Sequence, residues 1–213
     1  MKYAKNIPPV DQELSKLLVN QGWTKIKEPS NLFAAFMASI PIMAVCGLFS
    51  FFIITFFDPT LVDIFERMTT NSGISISFRW DYLLWILLMV YIHEMLHALW
   101  IPNFLSDDKT FFGIKPWGGF VFTSQSLTKK RFLVICLAPF ITLSILLPLI
   151  LGGLSLLNGI LILLIMINAM ASSVDLLSAF LILFQVPKDS MIVTNSFETY
   201  YRPNETVIAN QVN

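Results

Sequence analysis

The chain has two histidines, His93 and His97, which stand four residues apart with Glu94 beside the first, in the run Tyr91-Ile92-His93-Glu94-Met95-Leu96-His97-Ala98. On a helix, residues i and i+4 lie about 40° apart around the axis and about 6 Å apart along it, so both imidazoles reach one metal ion. Glu94 projects beside that pair. In this arrangement a zinc ion binds a water molecule and a carboxylate takes its proton, which is the basis of metal-assisted peptide hydrolysis. Given the two histidines and six glutamates in the chain, chance produces this pattern in roughly a few of ten thousand sequences. A metal-free relic of an enzyme would keep the same letters.

The residues around the motif form an unusually apolar chain. Mean hydropathy is +0.70, with 55% hydrophobic and 13% charged residues, a composition of multipass membrane proteins. The net charge of zero gives no support to a nucleic-acid partner. Cys46 and Cys136 fall inside apolar runs and read as small buried hydrophobes without a disulfide framework. The first 31 residues are polar and carry five lysines, so the first apolar segment starts too late for an ordinary cleaved signal peptide and is expected to be a retained span.

The expected fold class is an all-α membrane protein with about four transmembrane helices and a short β-hairpin between the second and third. Residues 1–30 form a cytoplasmic or interfacial segment, 31–187 the membrane-embedded domain, and 188–213 a polar, loosely ordered tail. Val10, Leu14, Leu17 and Leu18 recur at helical spacing, which predicts a short helix resting on the membrane surface or packing there. Ser30 or Asn31 is placed to cap span one, Leu32–Phe57, in which Pro41 and Gly47 are candidate bends. In the connection from Asp58 to Arg79, the alternating residues Ile74 to Phe78 read as a short strand or lip. Span two is expected from Trp80 to about Phe104, with aromatic residues at both ends.

Thr110–Ile114 and Phe120–Thr123 bracket a Pro/Gly turn over Lys115–Gly119 and predict the hairpin. Its edge would either accept an extended substrate as an added strand or plug the interface with aromatic side chains. Span three covers Phe132 to Leu151, with Pro139 and Pro148 inside it. The last apolar stretch, Leu154 to Val186, would be about 50 Å long as one helix, so it must tilt, break or protrude. Asn204-Glu205-Thr206 fits a glycosylation acceptor only as a coincidence on a cytoplasmic tail. Lysine and arginine number five before span one, two, five and none in the successive connections, and two in the tail. That asymmetry puts both termini of a cell-membrane protein on the cytoplasmic side.

Ionisable groups inside a membrane are costly and mostly face a functional cavity. Away from their ends, spans one and three have no charged residue or histidine, span two has His93, Glu94 and His97, and the last has Asp175 alone. In ideal helices His93 and His97 lie about 17 and 11 Å from Phe104, and Asp175 about 17 Å from Val186, so the levels agree to about one turn. Asp175 is therefore the expected third ligand of a single zinc ion, with a fourth position open to water; the alternative is an Asp paired with a helix-packing Ser or Asn. Asn168, Ser172, Asp175 and Ala179 form a small and polar stripe on which another helix can approach closely. Asn168 is a candidate either for binding the substrate backbone or oxyanion, or for bridging helices.

HEMLH within a span, Leu137-Ala138-Pro139-Phe140 and Asn168-Ala169-Met170-Ala171-Ser172-Ser173-Val174-Asp175 together resemble a bacterial family of small membrane proteins named putative zincin peptidases. More distantly they resemble the site-2 protease group of intramembrane metalloproteases. In that group the late segment commonly carries Asn, Pro and Asp-Gly; here Leu176 follows Asp175 and no proline stands between Asn168 and Asp175. The expected activity is a zinc-dependent endopeptidase acting on membrane-anchored protein or peptide substrates near the cytoplasmic face of the lipid bilayer. Zinc is held by His93, His97 and Asp175, and Glu94 moves the proton. The alternative is a non-catalytic membrane binding or regulatory protein retaining a vestigial metal site. Metal transport fits less well, because one cluster of ligands provides no relay across a bilayer.

Overall fold

The computed structural model describes residues 1–59, 61–63, 66, 79–115 and 118–204. The expected strand or lip at Ile74–Phe78, the turn residues Pro116 and Trp117, and Glu205 and Thr206 of the glycosylation pattern lie outside the described residues.

Helix α1 spans Gln12–Asn20. Among the described residues, four further helices are long and apolar enough to cross a membrane: α2 Leu32–Phe57, α3 Trp80–Leu99, α4 Lys129–Gly153 and α5 Gly159–Gln185. Their outer faces carry large apolar side chains; Phe33, Phe52, Phe56, Leu84 and Phe184 are each at least 67% exposed. Such a surface is at home against lipid and out of place in water. Asn31 is the residue that caps α2, its Oδ1 accepting from the Ala34 amide at 2.9 Å, and the helix runs unbroken through Pro41.

The strands are β1 Lys2–Tyr3, β2 Thr24–Lys25, β3 Thr110–Lys115, β4 Gly118–Thr123, β5 Leu127–Thr128, β6 Ser190–Asn195 and β7 Glu198–Pro203. They make a three-stranded sheet in the order β1-β3-β4 and a four-stranded sheet in the order β2-β7-β6-β5. The expected hairpin is therefore present as β3–β4, while the all-α expectation is corrected to a mostly helical protein with two sheets.

The described chain forms two compact units. The first comprises Met1–Ser39, Glu94–Ala138 and Val174–Asn213 and contains both sheets. Its polar part is built by long-range pairing that the tail's composition conceals. Over residues 188–204 the expectation of a loosely ordered tail is corrected: β6 and β7 form a hairpin, and β7 pairs antiparallel with β2 through Tyr200 and Tyr201. Leu18 of α1, Trp23, Val193 and Tyr200 close one core, and Ile26, Ile182, Val186 and Ile192 another. Helix α1 therefore packs on the hairpin through Leu18, while Leu17 and Val19 stay exposed. The described residues of the second unit, Ile40–His93 with Pro139–Ser173, form helices and their connections. It packs Ile54, Ile162 and Ile165 at its centre. A Cβ at Gly152 would stand 2.4 Å from the Phe57 ring, so α2 and α4 meet there only because that position carries no side chain.

Three spans are irregular. Helix α3 ends at Leu99, and turns occupy the residues up to Ser106. Helix α4 changes to π geometry over Phe140–Leu146, immediately after Pro139, where the i→i+5 register accommodates prolines that cannot serve the ordinary ladder. The 33-residue apolar stretch does not form one helix. Leu154 to Asn158 make a turn, Asn158 caps α5 through the Leu161 amide, and α5 breaks at Ser172. There the Ser172 amide and hydroxyl both donate to the Asn168 carbonyl at 2.9 Å, a competition that bends helices.

Acid groups hold the hairpin to the N-terminal segment. The Glu28 carboxylate accepts from the Thr199 amide and hydroxyl, and Glu198 accepts from Lys25, Ser15 and Tyr200. Burial pushes Glu28 above the usual carboxylate range, against the Thr199 bonds. Burial also lifts Glu198, but the Lys25, Tyr200 and Ser15 hydrogen bonds and the Lys25 charge outweigh it and hold Glu198 low. The signs are opposite. The Glu198 contribution is present above its ordinary pKa and lost as pH falls through its lowered one, whereas the Glu28 contribution is present at low pH and lost as pH rises. Glu198→Gln is expected to weaken hairpin docking by about 1–2 kcal/mol at pH 7. The difference from wild type should shrink as pH falls below about 4. Hydrogen exchange at the Tyr200 and Tyr201 amides in both proteins measures it, and a difference that does not change with pH contradicts the assignment.

Candidate metal centre

His93, Glu94 and His97 occupy the last two turns of α3, with both histidines buried. Asp175 stands in the first turn of the second half of α5, Ser173–Gln185, where the helix dipole favours a carboxylate. Ligand atoms of His93, His97 and Asp175 all lie within 4.8 Å of one another. The three residues expected as ligands thus form a group that could hold a metal ion, and α3 stops at Leu99, short of Phe104. The break in α5 at Ser172 restarts the helix just before Asp175.

The hydrogen bonds on the far sides of the imidazoles determine which nitrogens face the cluster. His97 Nδ1 lies 2.8 Å from the Ile135 carbonyl oxygen of α4. A carbonyl only accepts, so Nδ1 carries a proton, and in the neutral ring Nε2 is the nitrogen with the lone pair. His93 Nδ1 lies 2.9 Å from Asn168 Oδ1. The Asn168 amide is itself oriented, because its Nδ2 donates to Ser144 Oγ at 2.9 Å and to the Pro139 carbonyl at 3.4 Å. The oxygen of that amide is then the atom facing His93, which donates from Nδ1 and presents Nε2. Asn168 is fully buried, and its position is that of the bridge between helices, with its oxygen on a histidine.

This donor set fits zinc. Two neutral imidazoles with Nε2 available and one carboxylate form a usual three-ligand set, and supporting Nδ1 bonds to carbonyl or amide oxygens accompany such histidines. In a tetrahedron of zinc ligands, neighbouring donor atoms stand about 3.3 Å apart. His97 Nε2 and Asp175 Oδ1 are 3.5 Å apart.

Glu94 is half-buried beside this group, and strand β4 lies against it. A Cβ at Gly119 would come within 2.6 Å of Glu94 Cγ. The connection from α3 to the hairpin is fixed by Gln125, whose Nε2 donates to the Pro102 carbonyl at 3.1 Å and to Asp107 at 2.7 Å. A cavity of about 170 Å³ adjoins His97 and Asp175, with Val121, Phe122 and Thr123 of β4 in its wall and Cys136 among its lining residues.

Sequence reasoning missed the Ile135 carbonyl, Ser144 and Gly119. A backbone acceptor leaves no sequence signal. Ser144, one of two hydroxyl residues in span three, had a signal that counting charges alone passed over. Gly119 was read only as part of a turn.

If Asn168 holds His93, Asn168→Leu should weaken zinc binding about 10- to 100-fold, while His93→Ala should abolish tight binding. Competition against a chromophoric chelator, on protein whose helical content is unchanged, measures both; wild-type affinity in Asn168→Leu contradicts the role.

No curated protein and no solved structure matches the chain. Residues 86–191, the stretch that carries the histidine pair, the hairpin, Asn168 and Asp175, match one family. That family is the one named Putative zincin peptidase.

Proposed function

We propose that the protein is a zinc-dependent endopeptidase that cleaves membrane-anchored proteins or peptides near the cytoplasmic face of a cell membrane. The observation that carries this reading is the pinning of both imidazoles through Nδ1, with His97 Nε2 facing Asp175 and Glu94 on the same helix. That is a site prepared to bind a cation and to move a proton beside it.

His93, His97 and Asp175 would hold the ion, which when bound supplies Lewis acidity for attack on a peptide carbonyl. Glu94 takes the proton of the attacking water and delivers it to the leaving amine nitrogen, as a positioned carboxylate does in general acid–base catalysis. Asn168 and the Ile135 carbonyl keep the two rings from turning during that cycle. The cavity beside His97 and Asp175 offers room for the substrate residue flanking the cleaved bond, with apolar walls and Thr123, Gln125 and Thr194 as polar contacts. The lysine and arginine asymmetry supports a cytoplasmic opening, so water need not cross the apolar span.

Glu94→Gln is expected to retain about one zinc per chain and to lose at least roughly a hundredfold in turnover of a membrane-anchored substrate. Equal processing of every tested substrate by wild type and Glu94→Gln would overturn the reading in favour of a binding or regulatory protein. Metal analysis of the same preparations shows whether lost turnover is lost chemistry or lost zinc.

A further inference from the structure

The hairpin contains a glycine whose neighbour is the proton-carrying carboxylate. In the β3–β4 register Gly119 faces Ile114. A Cβ built on Gly119 would stand 2.6 Å from Glu94 Cγ, 3.4 Å from Cδ and 3.6 Å from Oε1. Carbon atoms in contact stand about 3.5–4.0 Å apart, so the first separation leaves no space for a methyl group. Gly119 is also outside the positive-φ region that favours glycine, which here contains Gly22 and Gly118. The close approach of Glu94, and no demand of backbone conformation, is what excludes a side chain.

The other tight glycine of the hairpin has a different neighbour. At Gly113 a Cβ would meet the Phe120 ring at 2.3 Å and the Ala4 carbonyl oxygen at 2.5 Å, where β1 joins the sheet and the Ala4 amide donates to Phe112 at 2.9 Å. Crowding at Gly113 falls on an aromatic ring and on backbone and is paid in fold stability. Crowding at Gly119 falls on one side chain, Glu94, with no backbone atom among its nearest neighbours.

We infer that Gly119 is a positioning residue for Glu94: the bare backbone of β4 lies on the Glu94 methylenes, restricts the carboxylate to the side of α3 that carries His97, and covers one flank of it from solvent. This rests on the peptidase reading for its consequence in turnover, and on geometry alone for the contact. A displacement of about 1 Å in a reacting group can cost about a hundredfold in rate. A methyl group at Gly119 therefore acts on catalysis through Glu94, with zinc left in place.

The test uses the full chain in lipid or detergent, as wild type, Gly119→Ala, Gly119→Val and Gly113→Ala. Zinc content, turnover of a membrane-anchored substrate and thermal stability are measured on each. On zinc-free protein, Glu94 is labelled with a water-soluble carbodiimide and an amine, and the label is located by mass spectrometry. Gly119→Ala is expected to keep about one zinc per chain, to lower kcat about tenfold with KM within about twofold, and to raise Glu94 labelling several-fold. Gly119→Val should lower kcat about a hundredfold. Gly113→Ala should lower thermal stability while Glu94 labelling in the folded protein stays at the wild-type rate. Unchanged labelling and unchanged kcat in Gly119→Ala would overturn the inference, as would zinc and stability falling in step with activity. If wild type cleaves nothing but Gly119→Ala still alters labelling, the peptidase reading fails and the contact stands; active wild type with unaltered labelling is the reverse result.

Discussion

A neutral imidazole has one nitrogen that donates and one that accepts, and everything at the centre depends on which is which. Here two oxygens that can only accept, the Ile135 carbonyl and the amide oxygen of Asn168, take the Nδ1 protons of His97 and His93. Each Nε2 is thereby left as a base. The Asn168 oxygen faces His93 because the Pro139 carbonyl and Ser144 hold the nitrogen end of the same amide. That arrangement explains features that look irregular in isolation. The π segment that starts after Pro139 carries Ser144, and the Asn168 carbonyl is where α5 breaks.

The break has an electrostatic consequence. A carboxylate in the middle of an apolar helix has no favourable partner in the backbone, whereas one in a first turn faces the positive end of a helix dipole. By interrupting α5 at Ser172, the chain makes Asp175 a first-turn residue within an otherwise apolar element. The cost of placing a carboxylate there falls, and the same residue comes to face His97.

Polar structure outside the helices supports the centre from the other side. Asp107 and Gln125 brace the passage from α3 into β3, and the Thr194 hydroxyl of β6 donates to the Thr123 carbonyl of β4 at 2.5 Å. Strand β4 is therefore held at its far end by the second sheet, and at Gly119 it meets Glu94. The sheet formed by the ends of the chain is in this way linked to the strand that lies on the motif, within the one compact unit that contains both.

From its amino acids alone the chain declared the ionisable residues of the centre, the apolar stretches long enough to span, and the β3–β4 hairpin. Each of these is written in local composition or in fixed spacing: His93 and His97 one turn apart, Asp175 alone in the last span. The polar tail read as loose because the partners of Tyr200 and Tyr201 are Lys25 and Thr24, more than 170 residues away, and strand pairing at that distance leaves no local pattern. Helix α3 ends at Leu99, not at Phe104, so matched distances along ideal helices do not locate Asp175; its cost in the membrane singles the residue out, and the break at Ser172 decides its place. Only the tertiary structure decided which ring nitrogens face the cluster, that Asn168 bonds His93, and that β4 passes close enough to Glu94 to require Gly119. Those are contacts between elements distant in sequence, set by packing and by the direction of individual hydrogen bonds, and residue order does not record either.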